Sequence, residues 1–149
     1  MKKNLALDLG DVWTGIAISD ILGIIARPYK TVSTNNIVSV LEQILKEEQI
    51  GTIVIGYPKT MKGFESAQTK KVIAEKEILE KKLTAIGATP QWVLWDERLS
   101  SKRATAAKIE QGKKQKTKED KLQSHAIAAA FILDSYLQSR APLIQEEEE

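Results

Sequence analysis

The chain has 149 residues, which is enough for one domain with a sizeable buried core. Its 42% hydrophobic and 28% charged residues are typical of a globular protein, and it has no apolar run of membrane-spanning length. The absence of cysteine excludes disulfides and thiol chemistry, and the single histidine argues against a tetrahedral zinc site. We therefore expect a cytoplasmic protein with no membrane partner.

The formal net charge of +2 conceals an uneven distribution. Residues 146–149 are all glutamate, so the rest of the chain carries 22 basic and 16 acidic side chains, a net charge of +6. Much of the excess lies between residues 102 and 121. Such a block can bind a polyanion or can form a solvated loop, and composition leaves both interpretations open.

The first predicted strand covers residues 4–10, where leucines alternate with Ala6 and Asp8. A carboxylate among leucines loses solvation unless a metal ion or a hydrogen-bond donor compensates. Asp8 is therefore a candidate functional residue, although a polar strand end that bonds neighbouring backbone is the alternative. Gly10 then permits a tight turn.

Two more strands are predicted at residues 14–20 and 24–32, with residues 11–13 as a tight hairpin connection. Pro28 restricts the third strand to an edge or an irregular position. Three strands joined by short loops predict an antiparallel meander.

The hydrophobic period then indicates helices alternating with strands. We predict a helix at residues 37–45, a buried parallel strand at 52–56, a helix from 65 to 87, a strand at 91–95, and helices from about 100 to 111 and about 120 to 138. The buried stripe of the last helix is predicted to be Leu122, Ala126, Ala129, Leu133 and Leu137, and Ala141 with Pro142 should end it.

This order of elements predicts an α/β fold, a ribonuclease H-like five-stranded mixed sheet with helices on both faces. We assign residues 1–140 to a single domain and residues 141–149 to a disordered acidic tail.

Asp8 and Glu97 are predicted to meet at one edge of this sheet, because functional groups gather at the carboxyl ends of parallel strands. Two close carboxylates repel each other unless a divalent cation lies between them. Oxygen ligands select Mg²⁺ or Mn²⁺, and two such ions ~4 Å apart can clamp the attacking and leaving oxygens of a phosphodiester. Alternatively, residues 96–98 form a strand-end turn with a local salt bridge from Arg98.

Five motifs, in order, resemble the YqgF/RuvX family over nearly the whole chain. They are residues 7–10 (Leu-Asp-Leu-Gly), 15–20 (Gly-Ile-Ala-Ile-Ser-Asp), 55–58 (Ile-Gly-Tyr-Pro) with Met61 and Gly63, 95–100 (Trp-Asp-Glu-Arg-Leu-Ser) and 129–137 (Ala-Ala-Phe-Ile-Leu-Asp-Ser-Tyr-Leu). The resemblance implies a ribonuclease H-like fold. It also implies either Holliday-junction resolution or maturation of the 5′ end of pre-16S ribosomal RNA.

The resemblance assigns the first two family carboxylates to Asp8 and Glu97, while the third, usually an aspartate, falls on His125. An imidazole can bind a divalent ion or act as general base, but it brings no negative charge and favours Mn²⁺ over Mg²⁺. We predict that all three residues bind metal and act in catalysis. His125 could instead form a hydrogen bond at the start of the helix.

A second departure lies in the hairpin, where the family usually has Thr-Lys-Arg and this chain has Asp11, Val12 and Trp13. Asp11 could join the metal site or only stabilise the turn. Trp13 could stack on a base or be partly buried. We predict that nucleic acid is bound by a set of basic side chains, namely Lys59, Lys62, Arg98, Lys102, Arg103, Lys113, Lys114, Lys116 and Lys118.

The sequence therefore predicts a nuclease of the two-metal-ion type that acts on structured RNA, most directly the 5′ end of pre-16S ribosomal RNA, or on branched DNA. The second hypothesis is a nucleic-acid-binding protein whose catalysis is weakened by His125. A phosphotransferase ranks last, because phosphotransferases that share the Asp-x-Gly strand need a second such domain and a glycine-rich nucleotide loop, and 149 residues leave no room for them. We expect a monomer or a weak homodimer.

Overall fold

The computed structural model describes residues 2–57, 67–97 and 118–148 of the chain. Its elements in order are β1 (Lys3–Asp8), β2 (Trp13–Ser19), β3 (Ala26–Ser33), a short 3₁₀ helix (Thr34–Asn36), α1 (Ile37–Glu47), β4 (Ile50–Tyr57), α2 (Ala67–Ala85), β5 (Gln91–Asp96) and α3 (Lys118–Glu148). The helix predicted near residues 100–111 lies outside the described residues.

The five strands form one mixed sheet in the order β3-β2-β1-β4-β5. Strand β2 pairs antiparallel with both β1 and β3, whereas β4 pairs parallel with both β1 and β5. The predicted meander is confirmed, and β1 lies at the centre of the sheet. Pro28 lies on the edge strand β3 beside a shift in register, where a missing backbone N–H is tolerated.

Alternation along β1 divides the core into two layers. Leu5 and Leu7 are fully buried on one face, in a cluster with residues of α1 and α2 such as Leu41 and Leu79. Ala6 lies on the other face, in a cluster with α3. Each leucine buried in this way contributes about 1.5–3 kcal/mol relative to an exposed one. Helices therefore cover both faces, as predicted.

Helix α3 approaches the sheet closely at two glycines. A Cβ atom at Gly15 of β2 would overlap the backbone carbonyl of His125, and a Cβ atom at Gly56 of β4 would overlap the side chain of Ile132. A larger residue at either position would push the helix away from the sheet. The helix is consequently held against two different strands.

The last helix departs from prediction at its end. It continues past Pro142 to Glu148, so the predicted end at Ala141–Pro142 is wrong. A proline inside a helix gives up one backbone hydrogen bond and favours a kink, yet it need not end the helix. No helix in the described ranges combines the length and apolar character that a membrane span requires. The division into residues 1–140 and a disordered tail stays a prediction.

The spacing of Val72, Leu79, Leu83 and Ile86 predicts that all four residues face inward from α2. The first three are buried, whereas Ile86 is 49% exposed because it follows the end of α2 in the turn to Gly87.

Candidate active site

Two carboxylates lie at the carboxyl edge of the parallel strands. Asp8 is the last residue of β1, and Glu97 directly follows the last residue of β5. Strand β4 lies between them, with Ile55 opposite Leu7 and Tyr57 opposite Asp96. The two strand ends are therefore almost level across the sheet.

Both carboxylates lie on the face covered by α3. Asp8 follows Ala6 by two residues and Glu97 follows Trp95 by two, and both Ala6 and Trp95 pack in the α3 cluster. The Cγ atom of Glu97 lies 3.1 Å from the point where a Cβ of Gly56 would be. Gly56 thus leaves the space through which the Glu97 side chain extends over β4.

The electrostatics of Glu97 reflect this proximity. Burial of the carboxyl, together with the negative charges of Asp8 and Asp96, raises the pKa of Glu97 to about 7. The contribution of Asp8 means that the two carboxylates are close enough to repel each other. The structure therefore brings Asp8 and Glu97 together, while their catalytic and metal-binding roles stay predictions.

The end of β5 is fixed by contacts between Trp95 and α3. The indole Nε1–H of Trp95 donates a hydrogen bond to the Ser135 hydroxyl at 3.1 Å. Its ring meets Tyr136 edge to face, with centroids 5.6 Å apart and planes at 86°. Because Trp95 lies two residues before Glu97, these contacts restrict where the carboxylate can be.

The hairpin after Asp8 is fixed by Thr34. Its hydroxyl donates to the Gly10 carbonyl at 2.7 Å and lies 2.9 Å from the Thr14 hydroxyl. Its backbone N–H donates to the Val12 carbonyl at 2.8 Å. The chain that leaves Asp8 is consequently held to the 3₁₀ helix by three polar contacts.

Asp11 forms an ion pair with Lys71 of α2. The hydrogen bond and the charge of Asp11 raise the pKa of Lys71. This ion pair fixes the hairpin to α2, while a role of Asp11 in the metal site stays a prediction. The contact between Lys71 and Asp11 was not predictable from the sequence, because no sequence pattern indicates that α2 lies beside the hairpin.

The backbone of His125 lies close to the candidate site. Its carbonyl lies against Gly15, which is the register partner of Asp8. The His125 side chain is half-buried. Within the described residues, however, no three His, Asp or Glu side chains are arranged to hold one metal ion. The structure thus brings the His125 backbone close to Asp8 without a three-ligand cluster.

The remaining predicted site residues divide into two groups. Lys118 begins α3 and is exposed. The other basic residues lie outside the described residues and stay predictions, namely Lys59, Lys62, Arg98, Lys102, Arg103, Lys113, Lys114 and Lys116.

Asp134 is another acidic residue of α3. It lies more than two helical turns beyond His125 and accepts a hydrogen bond from Gln138 at 3.3 Å. It therefore belongs to a different part of α3 from the turn that contacts Gly15.

Gly15 and Gly56 were not singled out from the sequence, although both shape the site. Their signal was present, because an isolated glycine inside a strand often marks a close approach of another segment. The sequence alone does not say which segment approaches.

The family comparison covers nearly the whole chain. Residues 2–139 match the family model of RuvX, which is described as a Holliday junction resolvase. A protein of Rubrobacter xylanophilus is 33% identical over 89% of this chain and 90% of its own length. A protein of Clostridium tetani is 38% identical over 92% of this chain and 96% of its own. Both carry the name "Putative pre-16S rRNA nuclease".

Solved structures show the same fold. RuvC of Thermus thermophilus in complex with a Holliday junction substrate superposes with a TM-score of 0.56 at 16% identity. That comparison covers 94% of this chain and 96% of RuvC. The likeness confirms the predicted ribonuclease H-like fold. The family match over residues 2–139, together with the relatives that are 33% and 38% identical, shows that the chain belongs to the RuvX (YqgF) family.

Proposed function

We propose that this protein is a metal-dependent nuclease that hydrolyses phosphodiester bonds at the 5′ end of pre-16S ribosomal RNA, in the cytoplasm. The observation that carries the proposal is the meeting of Asp8 and Glu97 at one sheet edge, where the pKa of Glu97 is raised to about 7. Relatives that are 33% and 38% identical carry the corresponding name.

The donor set fits a hard divalent cation. Carboxylate oxygens are the ligands that Mg²⁺ and Mn²⁺ prefer, and positive charge would relieve the repulsion between Asp8 and Glu97. Mg²⁺ is commonly held by one or two carboxylates together with substrate phosphates, so a third protein ligand is not required. When bound, such an ion activates water and stabilises the charge that develops on the phosphate.

The chain's own residues divide the remaining work. Asp8, on the central strand, and Glu97, held beside it by the Trp95 contacts, would keep the ion and the scissile phosphate at the sheet edge. His125 would accept or donate a proton as general base or acid, a role that an imidazole can fill near neutral pH. The two-ion form of the mechanism would use all three residues as ligands.

Cleavage of a precursor RNA with an extended 5′ end tests the proposal. Asp8→Asn should lower the rate by more than about 100-fold, since even residues that merely support a metal ligand cost 10–100-fold. Its binding of the RNA should stay largely intact. Glu47→Gln is the control, because it removes an exposed carboxylate of α1, which packs on the face of the sheet opposite α3. Wild-type activity of Asp8→Asn would remove the proposed mechanism.

Thermal unfolding tests the metal without an activity measurement. A hundredfold excess of Mn²⁺ or Mg²⁺ over its Kd should stabilise the wild-type protein by about 2.7 kcal/mol. Glu97→Gln should lose most of that stabilisation. Equal stabilisation of both proteins would show that the ion binds elsewhere.

A resolvase acting on branched DNA is the second candidate. It is favoured by the description of the family model and by the likeness to RuvC bound to a Holliday junction substrate. Symmetric cleavage of two strands would require a dimer, so the mass in solution with and without a four-way DNA junction discriminates. A monomer that leaves the junction uncut excludes this candidate.

The variant His125→Asp tests the hypothesis that His125 weakens catalysis. If the wild-type protein is silent in both Mg²⁺ and Mn²⁺ and His125→Asp is active, the substitution has weakened the enzyme. If the wild type is active, histidine at position 125 is compatible with catalysis.

A further inference from the structure

Trp13 differs from the other two tryptophans of the chain. Trp92 and Trp95 pack against the two core clusters, whereas Trp13 belongs to neither and is 37% exposed. Among the described residues, its side chain has no hydrogen bond or ring contact. An aromatic ring that lies outside both core clusters and is partly exposed offers a surface for binding.

The register of the sheet places Trp13 beside the candidate site. Gly15 pairs with Asp8, and Trp13 lies two residues from Gly15 on the same strand. Trp13 and Gly15 therefore share the face that α3 covers, and Trp13 is the diagonal neighbour of Asp8. Diagonal neighbours lie about 7–8 Å apart, within reach of an aromatic side chain.

The backbone that carries Trp13 is fixed. Trp13 pairs with Ser33 of β3, and the neighbouring Val12 carbonyl accepts a hydrogen bond from Thr34 at 2.8 Å. A ring on such a strand can bind a flat ligand at low entropic cost, because the strand is ordered before binding.

The chemistry of the hairpin is apolar rather than cationic. Residues 10–13 contain no lysine or arginine, Val12 is 64% exposed, and the charge of Asp11 is paired with Lys71. A phosphate would find no positive partner on this hairpin, whereas the face of a nucleobase would find a matching surface.

We propose that Trp13 stacks on an unpaired nucleobase next to the phosphodiester held at Asp8 and Glu97. The inference rests on the proposed nuclease function and narrows its substrate to nucleic acid with an unpaired nucleotide at the cleavage site. A base inside a duplex is already stacked on both sides and cannot take up the ring. Because every base has such a face, Trp13 selects for the absence of pairing rather than for a sequence.

The test measures binding with Mg²⁺ present and with Asp8→Asn in every protein compared, so that cleavage does not interfere while the ion is kept. Fluorescence anisotropy compares a labelled single-stranded RNA with the same strand annealed to its complement. Trp13→Ala should weaken binding of the single strand by about tenfold or more, with a change of less than about twofold for the duplex. Trp13→Phe should retain most of the affinity, and Val12→Ala is the matched control on the same hairpin.

The salt dependence gives a second readout. Loss of a stacking contact releases no counterion, so Trp13→Ala should show the wild-type slope of log affinity against log salt concentration. If Trp13 has only a structural role, Trp13→Ala should weaken the binding of single-stranded and duplex RNA to the same extent, and that result would overturn the inference. If Trp13→Ala fails to fold, Trp13→Leu replaces it as an apolar residue without an aromatic face.

The outcomes separate the inference from the function on which it rests. If the wild type cleaves RNA but Trp13→Ala binds both RNA forms as the wild type does, the inference fails and the nuclease function stands; this is also the result expected if Trp13 contacts a protein partner. If the wild type neither binds nor cleaves RNA, both fail.

Discussion

Asp20 holds the turn between β2 and β3 in place. One of its carboxylate oxygens accepts hydrogen bonds from the backbone N–H groups of Ile25 at 2.9 Å and Ile24 at 2.7 Å. These bonds, led by that from Ile25, lower the pKa of Asp20 below its ordinary value of 3.8. The ionised carboxylate therefore stabilises the folded chain more than the unfolded one.

Substitution of Asp20 by asparagine should remove the part of the folding stability that depends on the ionisation of Asp20 at acid pH. Because the folded-state pKa is lowered, the contribution of the charge is complete above about pH 4 and is lost as the pH falls through the folded-state value. Urea denaturation should thus find the wild type more stable than Asp20→Asn at pH 6, with a smaller difference in acid. Glu47→Gln, which removes an exposed carboxylate of α1, is the control. A difference that stays constant with pH would contradict the expectation.

Residue patterns indicated the main site residues but not their electrostatics. Asp8 was visible as a carboxylate within an apolar strand, and Glu97 as part of a motif after a predicted strand. The raised pKa of Glu97 was not predictable, because it depends on burial and on the distance to Asp8 across β4. The pairing of Asp11 with Lys71 depends on tertiary contact in the same way.

At the scale of elements, the contact of α3 with β2 sets the place of His125. Gly15→Ala would add a Cβ that overlaps the backbone carbonyl of His125, so either the helix or the strand must shift. Overpacking of this kind costs about 1–3 kcal/mol. We expect a loss of at least that size in the free energy of unfolding, measured by urea denaturation.

Gly51→Ala is the matched control for this prediction. An added Cβ there meets side-chain atoms of Lys2, the nearest at 2.9 Å, rather than a helix backbone. It should cost clearly less than Gly15→Ala, because the overlap at Gly51 is much smaller and involves the side chain of an exposed residue rather than helix backbone. Equal losses for the two variants would mean that the α3 contact at Gly15 is not tight.

Elements with a clear period were predicted well, and their ends less well. The three-strand meander and the helices α1 and α2 follow from short connections and from apolar residues at regular spacing. The end of α3 was misplaced, because local proline chemistry favours a break while the structure continues the helix through Pro142. Contact at Gly15 and Gly56 joins segments far apart in the chain, which periodicity does not reveal.

At the scale of the whole molecule, the uneven charge predicts how nucleic acid is bound. The net charge of +2 is small, yet the residues before the terminal glutamates carry an excess of six positive charges. If these side chains contact phosphates, each contact to a single strand should add about −0.7 to the slope of log affinity against log salt concentration. A titration of labelled RNA at several salt concentrations measures this slope.

Replacing Lys113, Lys114 and Lys116 together by glutamine tests where those contacts lie. The triple variant should show a shallower slope, by up to about 2 for three lost contacts, with little change in thermal stability. Lys46→Gln, in α1, is the control. An unchanged slope would place the phosphate contacts elsewhere on the chain.

The two glycines that α3 contacts, Gly15 and Gly56, have a consequence for how this protein can evolve. Gly15 lies next to Asp8 and Gly56 lies next to Glu97, so a shift or tilt of the helix would disturb the surroundings of both acids. The side chain at position 125 can therefore be exchanged while the helix backbone that carries it stays in place. A change that moved this part of the helix backbone would displace the surroundings of Asp8 and Glu97 together.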